Sequence, residues 1–303
     1  MIKSFGHIIN ENMSNKKHRK FYSDLPEAQK VFQENFQKIH HQKCLRIANT
    51  DWHYFDSETD GPVILLLHGG FADYSMWIHQ ITAFETEYRV IAPTCPVLPK
   101  ATMKAYSDSL KKILDAKDIN HFNLIGYSEG GLIAQVFLRD LRNRVEKAIL
   151  GHTFYPTPEN KYYQYDFNLF RFLPAPLTTL LFKAFAKPDN EEIQARTEWS
   201  DWYQSYFKAL KSELTKDLIL THIDLMIDFV RHYEFHPDDL ATWDGEMLIT
   251  VSEDDVVRRY FEGLRHLYPM AQTHIFDVGL GGHSIALISP QAFNQRIRHF
   301  LVS

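Results

Sequence analysis

From Ser23 onward apolar residues recur at helical spacing, Leu25, Ala28, Val31, Phe32, Phe36 and Ile39, with Pro26 near the start. Apolar positions three and four apart form one stripe on a helix, so an amphipathic helix packed on the following body is predicted here. The pattern then changes to short apolar runs rich in branched residues and bounded by turn signals: Pro62 to Leu67, Tyr88 to Ala92, Phe122 to Ile125, Val145 to Leu150, Met247 to Val251 and Thr273 to Phe276. These read as strands. Between them lie periodic stretches of helical length, such as Thr102 to Ala116 and Gly131 to Leu141. Strands without polar alternation are expected to be buried on both faces, as in a mainly parallel sheet flanked by helices. The fold class is therefore α/β.

The alternation stops between residues 152 and 241, where Tyr155, Tyr162, Tyr163, Tyr165, Phe167, Phe170 and Phe172 precede Trp199, Trp202, Tyr203, Tyr206 and Phe207. This stretch is read as a helical cap inserted before the last two strands. The predicted organisation is residues 1–42 as a polar N-terminal tail and amphipathic helix, 43–151 and 242–303 as the core, and 152–241 as the cap. No internal repeat or low-complexity linker marks the cap as an independent domain. Its rings suggest an apolar or aromatic substrate, and they equally suit a small core of the cap's own.

Composition narrows the partners. With 33 Lys and Arg against 38 Asp and Glu, the net charge of −5 offers no overall positive field for a polyanion, so no nucleic acid is expected. The basic run from Lys16 to Lys20 is read as part of a solvated tail. The uncharged stretch from Val278 to Gln295 is interrupted by three glycines, Pro290 and His283, so no integral membrane segment is expected. No secretory signal is visible, and Cys44 and Cys95 are read as reduced thiols, which together suggest a cytoplasmic protein. A small-molecule substrate is the expected partner; the oligomeric state is not legible.

The sharpest chemical signal is Gly126-Tyr127-Ser128-Glu129-Gly130, which follows a strand and opens a helix. In this G-x-S-x-G elbow the serine occupies a strained turn, and the glycines stay small where neighbouring chain passes. Ser128 is the candidate nucleophile, held at a helix N-terminus where developing negative charge is favoured. A hydroxyl needs a base with a pKa near 7. His283 is assigned that part, because the glycine-rich Gly279-Leu280-Gly281-Gly282 follows the last core strand and leads into it. His68, which ends a core strand before Gly69 and Gly70, is the rival, read instead as a ring that holds its loop in shape. The imidazole needs a carboxylate behind it. Asp255, in the loop after Met247 to Val251, is assigned as the acid, with Asp254 as the alternative. The oxyanion hole is assigned to the backbone N–H groups of Gly70 and Glu129, with Phe71 in reserve for Gly70. The Glu129 side chain is read as incidental.

Other chemistry finds no motif. There is no phosphate-binding G-x-x-x-x-G-K-[ST], no H-E-x-x-H and no paired C-x-x-C, and Gly279-Leu280-Gly281 lacks the third glycine of a dinucleotide fingerprint. His232 and His236, with Asp238 and Asp239 nearby, are read as a polar helix face rather than metal ligands. Neither a metal nor a cofactor is expected.

The segments LLLHGGFADYSMW, YRVIAPTCPVLPK, NLIGYSEGGLIAQVF, SEDD and GGHS resemble the α/β-hydrolase superfamily from Cys44 to the end. Ser128, Asp255 and His283 follow that superfamily's chain order of nucleophile, acid and base. Within it, the stretch from YRVIAP to AQVF, together with LYPMAQTHIF, looks like the maspardin-like branch. That resemblance implies a binding protein in which acid and histidine positions have diverged, whereas this sequence keeps Ser128, Asp255 and His283 and has a shorter loop after Asp255. The leading expectation is a serine hydrolase cleaving a carboxylic ester or related acyl bond through an acyl-enzyme. The alternative is a non-catalytic, maspardin-like binding or scaffold protein.

Overall fold

Eight strands form one sheet: β1 (Lys43–Ile47), β2 (Thr50–Asp56), β3 (Val63–Leu67), β4 (Arg89–Pro93), β5 (Phe122–Tyr127), β6 (Val145–Gly151), β7 (Glu246–Ser252) and β8 (Gln272–Phe276). Their spatial order is β1-β2-β4-β3-β5-β6-β7-β8. Strands β3 to β8 pair in parallel, while β1 with β2 and β2 with β4 pair antiparallel. The computed structural model describes residues 20–157, 169–185 and 195–303. The basic run from Lys16 to Arg19, and Tyr162, Tyr163, Tyr165 and Phe167 of the aromatic stretch, lie outside the described residues.

The central strands are apolar on both sides because helices cover both. On β3, Ile64 and Leu66 join one core with Ile78, Ile81 and Phe84 of α2 (Ile78–Phe84). Leu65 and Leu67 join the other core with Leu110 and Ile113 of α3 (Met103–Asp115) and Phe137 of α4 (Glu129–Leu141). Each such side chain contributes about 1.5 to 3 kcal/mol when taken out of water, so a charge at any of them would break a layer. Thr102 starts α3 as its N-cap, its hydroxyl accepting from the Ala105 N–H at 3.2 Å.

Two expectations need correction, and one element carries no signal in the sequence. The hairpin of β1 and β2 was not foreseen, because polar residues alternate through Lys43–Ile47 at the sheet edge and no apolar run announces it. Strand β8 is an edge strand, so Thr273 and Ile275 are exposed and it is not buried on both faces. The N-terminal helix exists as α1 (Glu27–Ile39), but Ala28, Val31 and Ile39 face solvent. Its buried face carries Gln29, Gln33 and Phe36: Gln29 donates to the Glu198 carbonyl at 2.5 Å, and Gln33 accepts from the Trp202 indole at 3.0 Å. Two hydrogen-bonded amides turn the helix away from the orientation that hydrophobicity alone predicts.

Between β6 and β7 the described chain contains α5 (Ala175–Phe185), α6 (Ser200–Glu213) and α7 (Lys216–His232). Trp202, Tyr203 and Tyr206 of α6 belong to the same core as Phe36 of α1, while Leu225 and Phe229 of α7 enter the core beside α3 and α4. Two hydrogen bonds fasten α7 further, from Leu98 N–H to Thr221 Oγ1 at 2.9 Å and from Met103 N–H to Asp228 Oδ2 at 2.8 Å. After β7 and β8 come α8 (Phe261–Leu267), α9 (Ile285–Ile288) and α10 (Pro290–Val302). Among the described residues, no helix is long and apolar enough to cross a membrane. The chain reverses its direction of travel across the sheet between β3 and β5, and the crevice beyond the carboxyl ends of strands at such a switch point is where ligands bind.

Candidate active site

Ser128 separates β5 from α4 and has φ 53° and ψ −120°, a left-handed conformation that a serine holds only when its surroundings enforce it. They do. Its N–H donates to the Gly151 carbonyl at 2.9 Å, and its carbonyl accepts from Gly131 N–H at 2.9 Å and Thr153 Oγ1 at 2.7 Å. A methyl group on Gly126 would stand 2.4 Å from the Gly130 oxygen, and one on Gly130 only 2.1 Å from the Leu67 oxygen. The elbow therefore needs both glycines for space.

His283 arrives from the loop after β8. Gly281 there has φ 107° and Gly282 φ 50°. The loop is held by Ser252 Oγ donating to the Gly282 carbonyl at 3.0 Å, and by the Tyr127 hydroxyl donating to the His283 carbonyl at 2.7 Å. These contacts bring His283 Nε2 to 2.9 Å from Ser128 Oγ and its Nδ1 to 2.9 Å from Asp255 Oδ1. With Asp255 ionised, Nδ1 carries the proton and Nε2 is left to accept the serine proton. Burial by itself would raise the Asp255 carboxyl, but the imidazoles of His283 and His152 outweigh it and hold the group well below the usual carboxylate range. Asp254, the alternative acid, instead accepts from the Gly279 N–H at 3.0 Å and braces the loop that carries His283.

A residue the sequence reading missed lies on the far side of the carboxylate. His152, fully buried at the carboxyl end of β6, has Nδ1 2.6 Å from Asp255 Oδ2. Burial lowers its proton affinity, so the ring is neutral and donates through Nδ1.

The opposite flank of Ser128 contains the loop after β3. A methyl on Gly69 would stand 3.3 Å from Ser128 Cβ, and one on Gly70 would stand 3.2 Å from Glu129 Oε2. Phe71, with φ 63°, donates its N–H to Nε2 of His222 on α7 at 3.2 Å, so that amide is already committed. His222 Nδ1 in turn lies 2.6 Å from Glu129 Oε1. Because Nε2 accepts, Nδ1 must carry the proton toward Glu129. The Glu129 side chain is thus not incidental: it ties the residue after Ser128 to the loop after β3 through a buried imidazole. His68 occupies the loop-holding part read for it, donating from Nδ1 to the Gly69 carbonyl at 2.7 Å and accepting from Cys95 N–H at 2.9 Å. His232 and His236 each face a separate carboxylate, Asp228 at 2.9 Å and Glu234 at 3.8 Å. Cys44 is exposed and Cys95 buried, both as free thiols.

Ser128 and His283 open on a cavity of about 220 Å³ whose apolar wall includes Met76, Phe207, Leu210 and Leu287. Among the described residues that line it there is no Lys, Arg, Asp or Glu. Residues 62–244 match the alpha/beta hydrolase fold family. The chain belongs to that family. A 2-hydroxy-6-oxononadienedioate/2-hydroxy-6-oxononatrienedioate hydrolase of Paraburkholderia phymatum is 26% identical over 281 residues, covering 82% of this chain and 90% of that protein. The carboxylesterase YbfK of Bacillus subtilis is 23% identical over 264 residues, covering 80% of this chain and 81% of the relative. In the crystal structure of MGS-M2, an alpha/beta hydrolase enzyme from a Medee basin deep-sea metagenome library, the same fold recurs with TM-score 0.71 at 17% identity, over 86% of this chain and 98% of that one.

Within this hydrolase fold His152 carried a readable signal, since it is a polar residue directly after an apolar parallel strand, as His68 is. Nothing in the sequence around His222 marks it out from other histidines on amphipathic helices. Its role depends on how α7 docks.

Proposed function

We propose that this alpha/beta hydrolase is a serine hydrolase that cleaves a carboxylic ester, or a similarly activated acyl bond, of a small apolar substrate. The observation that carries the reading is the unbroken Ser128, His283 and Asp255 relay, 2.9 Å at each step, at the mouth of the cavity. Ser128 Oγ attacks the carbonyl carbon while His283 Nε2 takes the hydroxyl proton. The new oxyanion is met by the amides of Gly70 and Glu129, each such donor being worth about 3 to 4 kcal/mol. Collapse breaks the ester C–O bond, and the leaving alkoxide takes the proton from His283. Water then attacks the acyl-enzyme, again giving its proton to His283, and the acid leaves as Ser128 recovers its hydrogen.

Residues 152–241 serve in this reading as a cap, with Phe207 and Leu210 of α6 forming the acyl wall. The relative from Paraburkholderia is named for a dioate, and a substrate with a second carboxylate wants a cation to replace the water it loses. Among the described residues, the lining of this cavity offers no Lys or Arg, which favours a neutral ester and the kind of activity named for YbfK. The two free thiols fit a reducing, cytoplasmic setting.

Labelling with a fluorophosphonate and turnover of p-nitrophenyl butyrate test the proposal. The wild-type chain should label and turn over, with Ser128→Ala losing both and His283→Ala losing most of each. A well-folded chain that does neither overturns it and supports the maspardin-like binding protein instead.

A further inference from the structure

His152 has no part in the proposed reaction, yet its placement is specific. It follows β6 at φ 50°, in the left-handed region that few residues other than glycine occupy. Its N–H donates to the Thr250 carbonyl at 2.8 Å. The ring stacks on Tyr127 with centroids 4.9 Å apart and planes at 18°, and on Phe276 at 6.1 Å and 22°. Nδ1 reaches Asp255, while Nε2 is buried without a hydrogen-bond partner. An unpartnered buried nitrogen is costly, and an apolar ring would fill this space without it. The one return visible for that cost is the contact with the carboxylate.

Resting on the serine-hydrolase reading, we infer that His152 is a positioning residue for the catalytic acid. Its Nδ1–H fixes Asp255 Oδ2, leaving Oδ1 facing His283, and by drawing charge from the carboxylate it tempers how tightly Asp255 holds the His283 imidazolium. Val257 N–H, 2.9 Å from Oδ1, completes the hold on the carboxylate. The other titratable groups facing the assembly are Asp254 from the Asp255 loop, Tyr127 of β5 and His283 itself. Phe276 and Phe293 close the remaining sides without charge.

Two substitutions separate positioning from packing. His152→Phe keeps a ring against Tyr127 but has no donor. His152→Asn carries Nδ2 on Cγ, where the imidazole carries Nδ1, and tolerates the positive φ. The acid limb of kcat/KM is measured against pH, and the His283 imidazole is titrated by NMR in the same proteins without substrate. His152→Phe should move both midpoints up by about half to one pH unit, since the undamped carboxylate then holds the imidazolium more strongly, and His152→Asn should return them most of the way. Unchanged midpoints in folded His152→Phe overturn the inference and leave His152 as packing. If His152→Phe does not fold, His152→Ala against His152→Asn provides the same comparison. A chain without esterase activity would sink the proposed function, while the His283 titration would still judge His152.

Discussion

Ser128 stands between two carboxylate–imidazole pairs that are alike in one contact and opposite in the other. Asp255 with His283 and Glu129 with His222 both join a carboxylate to Nδ1, at 2.9 Å and 2.6 Å. On the first flank Nε2 faces the Ser128 hydroxyl, and on the second it faces the Phe71 N–H. A hydroxyl can surrender its proton to an imidazole as its oxygen attacks, whereas a backbone amide keeps its proton. In the proposed reaction the same pair is therefore a base on one side and a fastener on the other. Their origins differ too: the first comes from loops after β7 and β8, while the second joins the start of α4 to α7, which lies between β6 and β7. What an imidazole does is decided by the group its second nitrogen meets.

The comparison is broken most severely by removing the carboxylate from the base side. Asp255→Asn puts an amide where His283 Nδ1 needs an acceptor, favouring the wrong tautomer, and should cost on the order of 10⁴ in kcat/KM. Asp254→Asn still offers an oxygen to the Gly279 N–H and should cost about tenfold or less. Steady-state kinetics with p-nitrophenyl butyrate distinguishes them, and the reverse ranking would transfer the acid's role to Asp254.

A smaller effect is expected from the fastening pair. His222→Leu removes the acceptor for Phe71 N–H and the partner of the Glu129 carboxylate, so the loop that presents Gly70 loosens beside a newly unpaired charge. A direct oxyanion donor is worth about 10² to 10³ in kcat, and a residue acting through the loop should be worth roughly tenfold. His222→Gln, which keeps an acceptor and a donor, should recover part of that. The acid limb of the rate profile should stay in place for both variants, because His283 and Asp255 are untouched. A shifted limb would mean that the two flanks are coupled, contrary to the separation drawn above.

How far these flanks were legible in the chain follows from how local their causes are. Ser128 was readable because its elbow writes its own requirements into adjacent positions, with Gly126 and Gly130 left small by backbone contacts within a few ångströms. His283 and Asp255 were readable because each leaves the carboxyl end of an apolar strand in a loop shaped by glycine or acidic residues. His222 was not, since only the docking of α7 gives it Glu129 and Phe71. The N-terminal helix was half legible for the same reason. Leu25, Phe32 and Phe36 of its apolar stripe face the core, but the Glu198 carbonyl and the Trp202 indole, more than 160 residues away, bring Gln29 and Gln33 inward in place of Ala28 and Val31. Contacts closed over such distances leave no spacing rule in the segment they reorient.

The smallest effect is thermodynamic and sharpens the base side alone. His152 is held neutral by burial, so its folded-state pKa lies below the unfolded value of about 6.5. Below that pH the unfolded chain binds the proton more readily, and stability falls as the pH drops, by at most about 1.4 kcal/mol per unit for one imidazole. Burial pushes His68 and His79 in the same direction, so they add to the slope. Asp255 acts in a lower window. Its carboxyl is depressed, so its contribution is fully present above about pH 3.9 and is lost only as the pH falls from there toward its folded value. Urea unfolding from pH 7 to pH 5 should therefore show stability falling with acid before Asp255 titrates, and His152→Asn should flatten the decline by one imidazole's share. An equal slope in His152→Asn would mean that the folded protein already accepts a proton at His152, placing a charged ring on Asp255 Oδ2 and leaving the base side without its neutral donor.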